Sequence, residues 1–350
     1  MEQYTLNGKN VVITGCCGSI GSALVRRLLS DDGYEKCQIV GLDNNEDGIF
    51  QIEEQWQHNI RGRFYVADVR DTGGLRQRFT GSDVVLHCAA LKHVYQCEKA
   101  PSEAVNTNIL GLESVIAAAR DAGVRQVLFT SSDKAVNPTN VMGTSKLMGE
   151  RLITAANASS SSGAIFASTR FGNVLGSRGS VVEVFHRQIV HGGPITLTSL
   201  EMTRFVMSIE QAVALVLESV TLVRGGEVFI TKMPVIAIAD LAQVMIENLA
   251  GQYGHDPRRV EIKVIGPRPG EKLYEELLTP EETRRAMELK NYFVVQPAFT
   301  QVYSRIRYEY PDMQNVKVTR PYVSSQERRL SHAEILTVLR ETGLLTKTES

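Results

Sequence analysis

The sequence predicts an α/β protein: a doubly wound parallel sheet with a smaller C-terminal α/β substrate lobe. Three observations predict it. An apolar strand signal, Asn10-Val11-Val12-Ile13-Thr14, runs into the glycine-spaced turn Gly15-Cys16-Cys17-Gly18-Ser19-Ile20-Gly21 and then a helical pattern over Ala23–Leu29. In that order the amides of the turn and of the helix N-terminus face a pyrophosphate, as in a Rossmann-like fold. Strand and helix signals go on alternating as far as Arg170, which points to a parallel sheet. Ionisable groups then gather over Thr130–Glu150, TSSDKAVNPTNVMGTSKLMGE, where a strand hands over to a helix. Ligands of open α/β sheets bind at that carboxyl edge.

The glycine spacing, GxxGxxG rather than GxGxxG, leaves a plain tight turn open as an alternative to a dinucleotide loop. Gln38–Asp43 favours the loop: it reads as a second strand ending in an acid 22 positions beyond Gly21, close to the ~20 expected for ribose recognition. A carboxylate there accepts hydrogen bonds from a free 2′-hydroxyl and repels a 2′-phosphate, so NAD is favoured over NADP. Arg63–Val66 with Asp68-Val69 reads as a third strand bearing an acid near the adenine, although Asp68 equally suits a turn cap. Asp83–His87 is the fourth strand, and Cys88-Ala89-Ala90 after it are small enough for a cofactor to lie against the backbone.

From Pro101 a helical stretch runs through Ala122, in which Asn106 and Asn108 stand out as polar. A buried asparagine needs hydrogen-bond partners, and a neighbouring loop supplies them as readily as a cofactor. Gln126–Phe129 is the fifth strand, and in the helix after it Met142 and Lys146 share one face. Ala155–Gly163, with four serines, looks like an exposed loop, and Arg170-Phe171-Gly172-Asn173-Val174 leaves the sixth strand. Helical patterns at Ile209–Val223, Ile238–Leu249 and His332–Glu341 then flank short strands such as Val228–Ile230 and Val260–Ile265. The expected division is 1–175 for the dinucleotide-binding domain and 176–350 mainly for the lobe, with segments returning to the main sheet.

Composition excludes several classes. The 38 Lys plus Arg against 39 Asp plus Glu leave no global field to attract nucleic acid or an acidic membrane. The start, MEQYTLNGKN, carries no signal-peptide pattern, and no apolar run approaches the ~20 residues of a membrane helix. A soluble cytoplasmic protein is expected. Five cysteines without CxxC spacing and seven histidines without an HExxH cluster point to reduced thiols and no metal.

Four stretches together carry a family resemblance: Thr14–Gly21, His87–Val94 (HCAALKHV), Ser132–Asn140 (SDKAVNPTN) and Arg268–Lys272 (RPGEK). They resemble the extended short-chain dehydrogenases, and within them the UDP-N-acetylglucosamine 4,6-dehydratase branch. The resemblance runs from about residue 8 to 340; its central motif is specific, whereas the glycine loop alone marks the superfamily. It implies a hydride relay in which the nicotinamide oxidises carbon 4 of the sugar, water leaves across carbons 5 and 6, and the hydride returns to carbon 6. Oxidation acidifies the carbon 5 proton, so the site needs a base there and an acid at the departing 6-hydroxyl. Asp133 and Lys134 match the family's acid and base; away from that motif such neighbours form a solvated ion pair.

Most short-chain dehydrogenases place a Tyr four residues before Lys146, and here that position is Met142, as in some members of the branch. A thioether carries no proton. Ser132, aligned with a family Thr, would then contact the 4-hydroxyl and pass its proton to Asp133, while Lys146 orients the nicotinamide ribose. The cofactor set implied is Gly15, Gly18, Ser19, Ile20, Gly21, Asp43, Asp68, Val69, Ala89, Ala90, Asn108 and Lys146. Lys92, Asn173, Arg178, Arg204, Arg268 and Glu271 match family positions for the nucleotide sugar, and the cations suit a diphosphate. Pro101–Ala122 and Val141–Ala156 resemble helices that pair two subunits, so a homodimer or larger is expected. Longer family members add an N-terminal membrane region, expected to be absent here. Two other readings stand beside the dehydratase: a nucleotide-sugar 4-epimerase, which needs no Asp-Lys pair and usually keeps the Tyr, and a non-catalytic NAD-binding regulatory protein, motivated by Met142.

Overall fold

A computed structural model of the chain describes residues 5–158, 163–267, 269–299, 303, 306–315 and 317–346. Its first half alternates strand and helix: β1 (Asn10–Thr14), α1 (Ser19–Ser30), β2 (Gln38–Asp43), α2 (Glu46–Trp56), β3 (Gly62–Val66), α3 (Thr72–Phe79) and β4 (Val84–His87). After β4 come α4 (Val94–Lys99), α5 (Pro101–Ala104), a π-helical stretch Val105–Leu110, α6 (Gly111–Asp121), β5 (Gln126–Ser132), α7 (Val141–Ala158) and β6 (Ile165–Phe171). The second half carries β7 (Asn173–Val174), α8 (Val181–Val190), β8 (Ile195–Leu197), β9 (Thr203–Met207), α9 (Ile209–Leu222), β10 (Val228–Thr231), β11 (Val235–Ala237) and α10 (Ile238–Leu249). It ends with β12 (Ile262–Val264), β13 (Glu276–Leu278), β14 (Ala286–Leu289), β15 (Tyr292–Val295), β16 (Met313–Asn315), β17 (Tyr322–Val323) and α11 (His332–Glu341).

The chain divides into two compact units. The first holds Met1–Phe171, Ala212–Lys232 and Leu278–Pro321 and contains one sheet in the order β16-β14-β15-β10-β6-β5-β4-β1-β2-β3. From β3 across to β10 every pairing is parallel, which explains why the central strands read as unbroken apolar runs: helices cover both faces. β15, β14 and β16 add on antiparallel. The core on one face joins Val12, Val85, Val127 and Phe129 of the sheet to Leu112, Val115 and Ile153 of α6 and α7. The second unit, Gly172–Gln211, Met233–Leu277 and Tyr322–Ser350, has its own core, in which Phe185 and Ile189 of α8 meet Leu241 and Met245 of α10 and Leu339 of α11.

Several elements differ from the sequence expectation for definite reasons. β3 stops at Val66, because Asp68 turns the chain by accepting the backbone N–H of Arg70 at 2.9 Å and pairing with its guanidinium. The helix expected over Pro101–Ala122 is interrupted by the π stretch, which holds Asn108. α7 runs to Ala158 rather than opening into a loop at Ala155, and the serines at 159–162 lie outside the described residues.

Candidate active site

The order β3-β2-β1-β4-β5 reverses direction between β1 and β4, and at such a switch point the loops leaving the two strands splay apart to open a crevice. Gly15 follows β1 with φ +71°, and an added Cβ would lie 2.7 Å from the Ala89 nitrogen in the segment after β4. At Gly21 a Cβ would come within 2.1 Å of the Gly15 carbonyl oxygen. Both glycines are therefore demanded by close backbone approach. Gly18 is the N-cap of α1 and brings no side chain to the helix start, so the amides of Ser19 and Ile20 lie at the positively polarised end of the helix. The Asp43 carboxylate pins the loop, accepting from Cys17 N at 2.9 Å and Asn45 N at 3.0 Å.

Beneath the loop, Thr14 Oγ1 and His87 Nδ1 lie 2.7 Å apart and join β1 to β4. Burial, aided by nearby Lys146, pushes the His87 imidazole down to about 3, so it is a neutral strut. Burial also pushes the Cys88 thiol up to about 12. Val69 is buried in the core, and Asp68 has its carboxylate on Arg70, whose hydrogen bond holds it below the usual carboxylate range. Asn108 is buried, and its amide brackets Leu91, donating to its carbonyl at 3.0 Å and accepting its N–H at 2.8 Å, while also donating to Ser145 Oγ at 2.9 Å. It anchors the loop after β4 to α7.

The motif residues of the centre converge at the end of β5. Ser132 is its last residue, and Asp133–Ala135 form a tight turn. Asp133 is fully buried and its Oδ1 accepts from Ser132 Oγ at 2.7 Å and from Lys134 Nζ at 3.0 Å. Gly143 fixes that turn against α7, since a Cβ there would meet the Lys134 carbonyl oxygen at 2.2 Å. Lys146 is buried on α7, donates to the Thr130 carbonyl at 2.9 Å and lies 4.7 Å from the Phe129 ring centroid; desolvation lowers it to about 8. Met142 does not join this row of proton carriers. Its side chain sits in an apolar cluster with Cys97 and Ala104.

Sequence reasoning missed the network directly behind the centre. The register of β5 and β6 sets Ser131 beside Arg170. Ser131 Oγ donates to Glu150 Oε1 at 2.6 Å, and Arg170 grips Glu150 at 2.6 and 2.9 Å and Glu282 at 3.0 and 3.1 Å. An arginine inside an apolar strand, with an acid on the preceding helix, was the signal available.

The substrate positions are dispersed in role. Lys92 belongs to the first unit; Asn173, Arg178, Arg204 and Glu271 belong to the second, and Arg268 lies outside the described residues. Lys92 and Arg178 are exposed. Asn173 donates to the Phe205 carbonyl, and Glu271 accepts from Thr198 Oγ1 at 2.9 Å. Arg204 is buried, with its guanidinium on the carbonyls of Thr203, Lys272 and Leu273 and 3.6 Å from Glu275. As placed, it braces its own unit and does not present a free fork to a diphosphate.

Comparison with known proteins places this geometry. The family described as polysaccharide biosynthesis protein matches residues 11–297. The chain belongs to that family. Among its relatives, an uncharacterised membrane protein of Methanocaldococcus jannaschii is 48% identical over 83% of this chain and 86% of its own length. An inverting UDP-N-acetylglucosamine 4,6-dehydratase of Campylobacter jejuni is 37% identical over 83% and 84%. A UDP-glucose 4-epimerase of Rickettsia canadensis is 37% identical over 95% of each chain. Family membership thus carries nucleotide-sugar dehydratases and epimerases as kin. Among the described residues no helix is long and apolar enough to cross a membrane.

Proposed function

We propose that this chain is an NAD-dependent 4,6-dehydratase of UDP-N-acetylglucosamine or a closely similar nucleotide hexosamine. The observation that carries the reading is the Ser132–Asp133–Lys134 cluster at the end of β5, with two hydrogen bonds meeting on one buried carboxylate oxygen. The glycine cradle, the polarised start of α1 and Asp43 suit a dinucleotide with a free ribose hydroxyl, and Lys146 suits the nicotinamide ribose. NAD held there would supply the hydride acceptor for carbon 4 and the hydride donor for carbon 6.

The chain's own residues account for the protons. Ser132 gives the 4-hydroxyl proton a path onto Asp133, and a protonated Asp133 no longer holds Lys134 as an ammonium. Lys134, whose side chain is 24% exposed, can then shed its proton to solvent and act as the base at carbon 5. Asp133 passes the proton it received to the departing 6-hydroxyl, so the water that leaves takes its hydrogen from the 4-hydroxyl. Lys134 returns a proton to carbon 5. Lys92, Arg178 and Arg268 are the cations assigned to the diphosphate, with Asn173 and Glu271 on the sugar nucleotide. The reading includes a homodimer or larger assembly, supported by exposed Val105, Leu110 and Met148 on the paired helical stretches; a monomeric mass in light scattering would count against it.

The test is to incubate the protein with UDP-N-acetylglucosamine and NAD in heavy water. A product lighter by one water and deuterated at carbon 5 is expected. Conversion without mass loss would replace this reading with the epimerase one, which the match over 95% of each chain to the Rickettsia canadensis epimerase favours. No conversion with NAD bound would leave the regulatory reading.

A further inference from the structure

The glycine loop holds a second arrangement of side chains that the proposed reaction does not use. Cys16 and Cys17, both buried, have their sulphurs 3.9 Å apart. Their sulphurs and a carboxylate oxygen of Asp43 all lie within 4.8 Å of one another. Two thiolates on one tetrahedral zinc, with Zn–S near 2.3 Å, stand about 3.8 Å apart, so the sulphur pair already spans an edge of such a site. Two glycines leave the room: a Cβ on Gly41 would lie 3.0 Å from Cys16 Sγ, and one on Gly48 would lie 2.9 Å from Cys17 Sγ. The carboxylate is oriented by the amides of Cys17 and Asn45 and keeps lone pairs for a further partner.

We propose that Cys16, Cys17 and Asp43 bind a thiophilic divalent cation of the zinc or cadmium class, and that this cation and the dinucleotide exclude one another. The exclusion rests on the reading of Asp43 as the ribose ligand, since one carboxylate cannot serve both. A cysteine ligates a metal as its thiolate. Binding therefore exchanges two S–H bonds for two metal–sulphur bonds and releases two protons, with no change of oxidation state. Affinity rises with pH for the same reason. No motif search on spacing finds this set, because adjacent cysteines are completed by an acid on the next strand. The simpler account, two small apolar side chains packed under a loop, predicts no cation affinity.

Cadmium is the probe. The full chain, freed of nucleotide, is titrated with cadmium chloride while the ultraviolet thiolate-to-cadmium absorption is followed. One cadmium per chain is expected, with affinity lowered on the order of 100-fold in C16S or C17S and roughly 10-fold in D43N. C37S, whose thiol donates to the Leu6 carbonyl, should leave it unchanged. Saturating NAD should weaken cadmium binding, and cadmium should weaken NAD by the same factor. Absorption that is absent, or that persists in the C16S/C17S double variant, overturns the site. Independent binding of both ligands overturns the exclusion. Cadmium binding by a chain with no NAD affinity overturns the dinucleotide reading and the exclusion with it, while the cation site stands. Should a serine variant fail to fold, alkylation of the unaltered chain decides: cadmium must shield Cys16 and Cys17, and modification at the metal-free rate overturns the proposal.

Discussion

Two charge clusters stand at neighbouring strands, one in the turn just after β5 and one on β6, and they are closed to different degrees. In the Arg170 cluster the side chains of Arg170, Glu150 and Glu282 are 1%, 4% and 7% exposed, and both carboxylates meet the guanidinium in paired hydrogen bonds. Burial alone would raise Glu282, but the Arg170 charge and its hydrogen bonds hold it at about 2. Burial would likewise lower Arg170, and the two carboxylates raise it. In the other cluster Asp133 is fully buried while the Lys134 side chain reaches solvent. An enclosed cluster keeps its charges at every working pH. One with an open end can pass a proton in and out, and that separates a brace from a site of proton transfer.

Lys134→Ala breaks the comparison at its open end. Dehydration should fall by ~10²–10⁴-fold, with oxidation at carbon 4 leaving a keto sugar that keeps its 6-hydroxyl, as mass spectrometry would show. Near-normal dehydration in this variant would remove the distinction between the two clusters.

Arg170→Met breaks the enclosed end and should act on stability instead. Removing the cation leaves two buried carboxylates uncompensated, a loss of about 3–5 kcal/mol in urea denaturation. Adding Glu150→Gln and Glu282→Gln should restore part of it, because neutral amides need no counter-charge. An Arg170→Met protein as stable as its parent would show that the network is not a brace.

What the sequence revealed follows the reach of each signal. β1, β2 and the position of Asp133-Lys134 at a strand end were legible, since periodicity, glycine spacing and strand-to-helix handover are local. The role of Arg170 was not, because its partner Glu282 lies 112 positions away. The surroundings of Arg204 were hidden for a related reason: a cation in a sequence looks free, whereas the carbonyls of Lys272 and Leu273 that surround it come from a distant turn. The π stretch escaped notice because one extra residue in a helix barely disturbs an apolar period. Asn108 showed there only as an unexplained polar residue.

Met142→Ala is a milder test at the edge of the centre. Truncation in the cluster with Cys97 and Ala104 should cost about 2–5 kcal/mol of stability through the cavity it leaves. Turnover per folded molecule should change less than roughly tenfold, since no proton carrier is lost. Loss of all turnover with the fold intact would return Met142 to the chemistry.

Lys146 gives the smallest effect and sharpens the comparison most, because it is buried like Arg170 yet is held by the Thr130 carbonyl rather than by a carboxylate. Desolvation therefore lowers it from 10.5 to about 8, which puts its titration within reach. Between about 8 and 10.5 the unfolded chain binds a proton that the folded chain does not, so stability should rise with pH across that window and be flat below it. Dinucleotide binding should move the other way. If the ammonium positions the ribose, NAD affinity of the free protein should fall by up to roughly tenfold per pH unit above about 8. Lys146→Arg keeps its charge throughout and should flatten that limb. Measuring NAD affinity and urea stability on the same samples from neutral to alkaline pH tests both signs at once. An affinity that rises together with stability would mean that neutral Lys146 is the binding form, and that its charge has no part in the site.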